Sequence, residues 1–367
     1  MERYEAHMRK ALTLAERGWG RVSPNPLVGA IVLDLDGDVV GEGWHEGPGT
    51  PHAEVMALRA AGDRARGGTV VVTLEPCNHA GRTGPCTEAL LDAGVAQLVA
   101  ATGDVNPDVR GGGIDALRAA GVHVELGCLV DEARRLNAAF ERHVTTGRPL
   151  VVLKSAASLD GKTSAADGTS RWITSDDARA DAHRLRAWAD AIVVGSGTVL
   201  ADDPALTVRI AGLPGVRPPI RVVVDARGRV PANAKLFDAG APTLVATTHG
   251  APQQRIAEWQ AAGAEVLVAD DGAGSVALGP LLDALGKRDV QGVLVEGGPT
   301  LAWSVVRDGL ADRIVLYLAP KIVGGHGHGV VDGDGFAPIS DAVAMRITSV
   351  TRVGPDLKVE ADVQRDR

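Results

Sequence analysis

Four residues in the first quarter of the chain have the types and spacing to hold a metal and move a proton. His52 and Glu54 stand in PHAEVMALRAAG, and Cys77 and Cys86 in TLEPCNHAGRTGPC. One imidazole and two thiolates supply three corners of a tetrahedral zinc site, with the fourth left for water. Helix starts carry partial positive charge, which lowers a thiol's pKa and favours the ligating thiolate. Zinc acidifies a water in that position, and a carboxylate beside it can carry the proton onward to a leaving amine, a task that suits Glu54. His-x-Glu followed by Pro-Cys and a second Cys is the signature of zinc deaminases, in which the Glu is not a ligand. The usual two residues between the cysteines are here eight. The competing reading makes His52 a helix cap, Glu54 a favourable dipole partner and the two Cys buried, and needs four matched positions to coincide. Cys128, in ELGCLVDEA without a partner nearby, reads as core filler.

A second candidate site lies far downstream. In VLVEGGPTLAWS a buried-strand pattern runs into Gly297 and Gly298 and then into a helix opening on Pro299 and Thr300. Free amides at such a start can hold a phosphate, although a double glycine is also an ordinary strand-to-helix turn. Neither half opens with Gly-x-Gly-x-x-Gly between a first strand and a helix, so no Rossmann fingerprint is present.

The elements that position these residues follow an α/β order. The first half reads helix (Glu2 to Arg17), strands VGAIVLD and VVGEGWH, helix (His52 to Ala61), strand GTVVVTLEP, helix CTEALLDAG, strand QLVAATG, then helix, strand and helix to Gly147. The second half begins at PLVVLKSAASLDG. It continues with helix DDARADAHRLRAWAD, strands AIVVGSG, PIRVVVDA and PTLVATT, a helix, strand AEVLVAD, a helix, strand GVLVEGG, helix PTLAWSVVRDG and closing strands RIVLYLAPKIV and DLKVEADV. A long helix meets Gly and Pro at TTGRP, Thr145 to Pro149, which predicts domains over 1–146 and 147–367. There is no internal repeat.

The 367 residues suffice for two domains with sizeable cores. A net charge of −8 argues against binding that rests on neutralising many phosphates, so no nucleic-acid partner is expected. The charged N-terminus and the lack of any segment of membrane-spanning length predict a cytoplasmic protein without a membrane partner. Three cysteines make an odd count for a disulfide framework.

At these residues the chain resembles the bifunctional riboflavin-biosynthesis deaminase/reductase family. The motifs SPNPLVGAIV, GEGWHEGPGTPHAEVMAL, VTLEPCNHAGRTGPC, KSAASLDGKTS, WITS, VLADDPALTVR, VEGGPTL and LAPKIVGG occur in that order over nearly the whole chain. The long Pro-Cys-to-Cys loop is this family's own. The resemblance implies a cytidine-deaminase-like three-layer N-terminal domain that removes the 2-amino group of a diaminopyrimidinone ribosylamine phosphate. It implies a dihydrofolate-reductase-like C-terminal domain that reduces the ribosyl unit to ribityl with NADPH, and a homo-oligomer acting on small molecules.

Carried over residue by residue, the resemblance gives zinc ligation to His52, Cys77 and Cys86 and proton transfer to Glu54. Asn25, His45, His79 and Arg82 would line the deaminase pocket; taken alone, Asn25 between prolines is a turn residue and His45 at a strand end a surface histidine. In the reductase, Lys154 and Asp202 would be catalytic, with Asp202 near the nicotinamide and Lys154's role left open. Ser170, Arg186, Leu206, Arg209 and Glu296 would contact the substrate, guanidinium forks fitting phosphate geometry. Ala156, Trp172, Thr198, Asp202, Gly298, Pro299, Thr300, Leu301, Ala302, Trp303 and Ser304 would contact NADPH. Without the resemblance, Trp172 is a packing residue, Arg186 a solvated helix charge and Asp202 part of a turn. The histidine- and glycine-rich GGHGHGVVDGDG reads as a loop over the reductase cleft rather than a second metal site on His326 and His328.

A nucleic-acid-editing deaminase with an RNA-binding second domain is the alternative of another class. The acidic balance and 3% aromatic content speak against it. A second domain that only scaffolds oligomers is a third reading, against which Lys154, Asp202, Arg209 and Glu296 stand together.

Overall fold

Glycines set how closely helices approach the first sheet, and so where the first site lies. A computed structural model describes residues 1–78, 84–107, 109–110, 112–210 and 215–365. It divides into two units, Met1–Gly147 and Arg148–Arg367. The first contains α1 (Glu5–Ala15), β1 (Gly29–Leu33), β2 (Val39–Trp44), α2 (Ala53–Ala61), β3 (Thr69–Val72), α3 (Cys86–Asp92), β4 (Gln97–Ala100), α4 (Gly112–Ala119), β5 (His123–Leu126), α5 (Val130–Leu136) and α6 (Ala138–Thr146).

Its sheet runs β2-β1-β3-β4-β5, with β1 antiparallel to both neighbours and the last three strands parallel. The strands read as continuous apolar runs because both faces are covered. Ala30, Val32, Val70, Val72, Leu98 and Ala100 pack with α2, α3 and α4. Ile31, Leu33, Val71 and Val99 pack with α1 and α5, and Cys128 fills that second core. Three layers result. A Cβ on Gly41 or Gly43 of β2 would meet the Ala57 or Ala53 carbonyl of α2 at 2.1 or 2.3 Å, so α2 lies directly on the strand backbone.

The second unit contains β6 (Leu150–Ser158), α7 (Asp176–Trp188), β7 (Ala191–Gly195), α8 (Ser196–Asp202), β8 (Ile220–Val224), β9 (Thr243–Thr247), α9 (Gln253–Ala261), β10 (Glu265–Val268), α10 (Leu278–Gly286), β11 (Gly292–Val295), α11 (Pro299–Arg307), β12 (Arg313–Ala319), β13 (Met345–Val353) and β14 (Asp356–Val363). Its nine strands are ordered β10-β9-β8-β7-β11-β6-β12-β14-β13. Strands β10 to β12 are parallel, and β14 and β13 close the sheet antiparallel. Leu153, Val193, Val222 and Val293 face Leu281, Leu285, Leu301 and Val305 in its core.

Three elements differ from the sequence reading. The one helix read up to Gly147 is two, α5 and α6, which meet at Asn137. Gly195, Ser196 and Gly197 read as the end of a strand, but Ser196 starts α8, whose last residue is Asp202. Strand β13 was not expected; it is a sheet edge with most residues exposed, so the inward-outward alternation that reveals a strand is absent. Among the described residues no helix is long and apolar enough to cross a membrane.

Candidate active sites

His52 occupies the N-cap position of α2, yet its side chain makes no cap hydrogen bond. Its Nδ1 instead lies 3.1 Å from the Cys86 sulfur and 3.4 Å from the Cys77 sulfur. The three donor atoms fall within 4.8 Å of one another. A tetrahedral zinc with bonds of about 2.0–2.3 Å keeps its ligand atoms about 3.5–3.8 Å apart, so this donor set fits the ion with small adjustment. The competing cap reading of His52 does not hold.

Cys86 starts α3, and its amide donates to the Cys77 sulfur at 3.5 Å. The Cys77 thiol is lowered to about 4, chiefly by its hydrogen bond with Cys86 and, against burial, by His52. Cys86 is pushed up by the Cys77 sulfur, then by burial and Glu54. A dication in their midst would favour the thiolate form of both sulfurs. Burial also raises Glu54, which is 3% exposed on the first turn of α2.

Glu75 fixes the approach to Cys77. Its carboxylate is buried and accepts the amides of Gly113 and Ile114 at 3.1 and 3.2 Å and of Asp104 at 3.1 Å. Sequence reasoning missed it, although its place two residues before a ligating Cys was the available signal.

Asn25 and His45 come together, Nδ2 to Nε2 at 2.9 Å, and the His45 ring lies edge-on to His52 with centroids 5.5 Å apart. His45 is 4% exposed, so the alternative reading of it as a surface histidine does not hold. Burial, and then the neighbouring His52, holds it below the usual histidine range despite the Pro51 carbonyl. His79 and Arg82 lie outside the described residues.

The second site is a cleft of about 1270 Å³ at the carboxyl ends of β6, β7, β8 and β11. It gathers Lys154, Ala156, Ser170, Trp172, Arg186, Thr198, Asp202, Leu206, Arg209 and Glu296, with Gly298, Pro299, Thr300, Leu301 and Ser304 from α11 and its cap. Ala302 and Trp303 do not line it. The helical period turns Ala302 into the core, and Trp303 packs edge-on against Phe336, with ring centroids 5.1 Å apart. The glycine-rich segment does reach the cleft, through His328 and Val330, and His328 Nδ1 bonds Asp332 at 2.6 Å.

Arg186 is not a solvated helix charge. Its Nε and Nη2 donate to the Glu296 oxygens at 2.9 and 2.6 Å, and the pair is largely buried. Burial pushes the Glu296 carboxyl up, but Arg186, with Lys154 behind it, outweighs this and holds it below the usual range. Burial and then Arg186 lower Lys154, against the pull of Glu296. Asp202 accepts from Arg171 at 2.9 Å. The Gly298 amide donates to Thr198 Oγ1 at 3.0 Å, and a Cβ on Gly197 would meet nothing within 4 Å, so two backbone turns border open cleft. Arg171 and His183 also line the cleft and were missed, although His183 sits one helical turn before Arg186.

Residues 1–102 match the cytidine and deoxycytidylate deaminase zinc-binding region, and residues 149–359 match the RibD C-terminal domain. The riboflavin biosynthesis protein RibD of Escherichia coli K12 is 42% identical over 363 residues, covering 96% of this chain and 97% of that protein. The chain belongs to the RibD family. A solved Acinetobacter baumannii RibD superposes with a TM-score of 0.88 at 37% identity, each chain covered to 99%. The Thermotoga maritima diaminohydroxyphosphoribosylaminopyrimidine deaminase/5-amino-6-(5-phosphoribosylamino)uracil reductase does so at 0.86 and 34%, covering 98% of this chain and 99% of that one. As a RibD protein the chain is an enzyme of riboflavin biosynthesis with a zinc-dependent deaminase half and an NADPH-dependent reductase half.

Proposed function

We propose that the first unit deaminates 2,5-diamino-6-(5-phosphoribosylamino)pyrimidin-4(3H)-one, and that the second reduces the resulting 5-amino-6-(5-phosphoribosylamino)uracil at its ribosyl group. The convergence of His52, Cys77 and Cys86 beside a buried Glu54 is the observation that carries this reading. His52, Cys77 and Cys86 would hold zinc, which when bound lowers the pKa of a water toward neutrality. Glu54 takes a proton from the attacking water and returns it to the departing nitrogen, so that water and the C–NH2 group become a carbonyl and ammonia. Its burial raises its pKa and suits it to both tasks. Asn25, oriented by His45, faces the base edge; the family resemblance adds His79 and Arg82 as substrate contacts.

In the reductase cleft, Ala156, Trp172, Thr198, Asp202 and the segment 298–304 would hold NADPH, with Ala302 and Trp303 supporting that segment from behind. NADPH supplies a hydride to the sugar's first carbon once the ring has opened. Lys154, buried and easily deprotonated, hands a proton to the ring oxygen as it opens. Glu296, held by Arg186, orients the sugar, and Ser170, Leu206 and Arg209 complete the substrate side. The net charge of −8 and 3% aromatic content support small-molecule substrates rather than nucleic acid. Incubating the enzyme with the diaminopyrimidine substrate and NADPH, while following ammonia and nicotinamide absorbance together, tests the whole sequence. Ammonia release should precede NADPH oxidation, and NADPH oxidation without ammonia would refute the order.

A further inference from the structure

Trp172 is 62% exposed where it lines the reductase cleft, yet both its backbone and its ring are tied down. Its carbonyl accepts from Lys321 Nζ at 2.8 Å. Three residues later Ser175 caps α7, and the buried Asp356 accepts both its amide and its hydroxyl at 2.7 Å. Arg179 lays its guanidinium over the indole, 4.2 Å from the ring centroid. The guanidinium is itself fixed, because Nη1 donates to the Thr174 carbonyl at 2.8 Å and Nη2 pairs with Asp176. Arg171, the other cation near the ring at 5.7 Å, is turned to Asp202. An exposed side chain without such ties changes rotamer within nanoseconds and has to be ordered each time a ligand binds. A cation anchored over tryptophan favours one ring position, so a flat surface stands ready before the ligand arrives. The position of that surface says which part of the cofactor meets it. Arg179 lies about two helical turns before Arg186 on α7, and Arg186 holds Glu296 at the substrate end of the cleft. Hydride passes from nicotinamide to sugar, so the nicotinamide has to lie at that end and the adenosine away from it.

We propose that Arg179 is a positioning residue for cofactor binding, holding the Trp172 indole as a fixed surface against which the nicotinamide end of NADPH packs. The inference deepens the assignment of Trp172 to NADPH, and rests on it. It is tested by calorimetric titration of the full-length enzyme with NADPH and, separately, with adenosine 2′,5′-bisphosphate, which lacks the nicotinamide. Arg179→Leu should raise Kd for NADPH about fivefold, the cost of ordering one free side chain on binding, and leave Kd for the bisphosphate within about twofold. That second value also checks that the cleft is folded in the variant. Arg179→Lys, which keeps a cation beside the ring, should recover most of the loss. Trp172→Leu should itself weaken NADPH, and adding Arg179→Leu to it should change nothing further, because the arginine acts through the ring. An unchanged Kd for NADPH in Arg179→Leu, an equal loss for the bisphosphate, or an equal loss in the Trp172→Leu background overturns the positioning role. A Trp172→Leu variant with unchanged Kd for NADPH overturns instead the assignment of Trp172 on which that role depends.

Discussion

Arg186 and Glu296, 110 positions apart in the chain, form a two-pronged ion pair at the end of β11. Such a pair holds a carboxylate in one orientation, and removing the arginine leaves a charge buried without compensation. Arg186→Leu should therefore destabilise the second unit by about 3–5 kcal/mol in urea unfolding. Arg186→Leu combined with Glu296→Leu should regain most of that stability without regaining reduction. The sign with pH follows from the lowered Glu296 value: the pair's contribution is present above the ordinary carboxyl range of about 4.3 and is lost as pH falls through the lower folded value. A double variant no more stable than the single one would show that the buried charge is not the cause.

Separate sites predict separable losses. Glu54→Gln should retain one zinc per chain by metal analysis while ammonia release falls about 10²- to 10⁴-fold, the span typical of a general acid–base group. Chelation of the metal should likewise stop ammonia release while reduction of the already deaminated intermediate continues. Full deamination by Glu54→Gln would remove this residue from the mechanism.

The zinc ligands were legible because few folds need a His and a Cys at two helix starts, a second Cys in the loop between them and a Glu two residues from the His. The pairing of Arg186 with Glu296 was not, since nothing local in a charged helix says which of its residues turns toward a strand end far along the chain. The helical period of α11 was available and would have set Ala302 and Trp303 apart from Thr300, Leu301 and Ser304; a contiguous segment was assigned where a face was needed. His45 taken alone at a strand end was equally a surface histidine, and only the resemblance put it in the pocket; the loop that follows folds back over it and the Pro51 carbonyl lies 3.4 Å from its Nδ1.

Adjacent glycines offer a sharp contrast near Cys77. A Cβ on Gly113 would lie 1.8 Å from the Pro76 carbonyl, whereas one on Gly112 would meet nothing closer than the Asn78 Cβ at 3.9 Å. Gly113→Ala should push α4 away from the segment carrying Cys77 and disturb the Glu75 bonds, destabilising the first unit by about 1–3 kcal/mol as an overpacked site does. Zinc content and ammonia release should fall with it. Gly112→Ala should leave both within experimental scatter. Equal zinc retention by the two variants would mean that Cys77 is not positioned through this contact.

Lys154 gives the reductase a titration of its own. Burial lowers its pKa first and Arg186 adds to this, while Glu296 opposes both. The ammonium is the proton donor, so reduction should fall as pH rises through a midpoint below the free-lysine value of about 10.4. Lys154→Arg, whose guanidinium does not titrate in this range, should lose that alkaline limb along with about 10²- to 10⁴-fold in rate. Glu296→Gln removes the one nearby charge that raises Lys154, and its residual activity should show the limb moved to lower pH. A limb that stays in place in Glu296→Gln, or survives in Lys154→Arg, would assign the titration to another group and take the proton-donor role from Lys154.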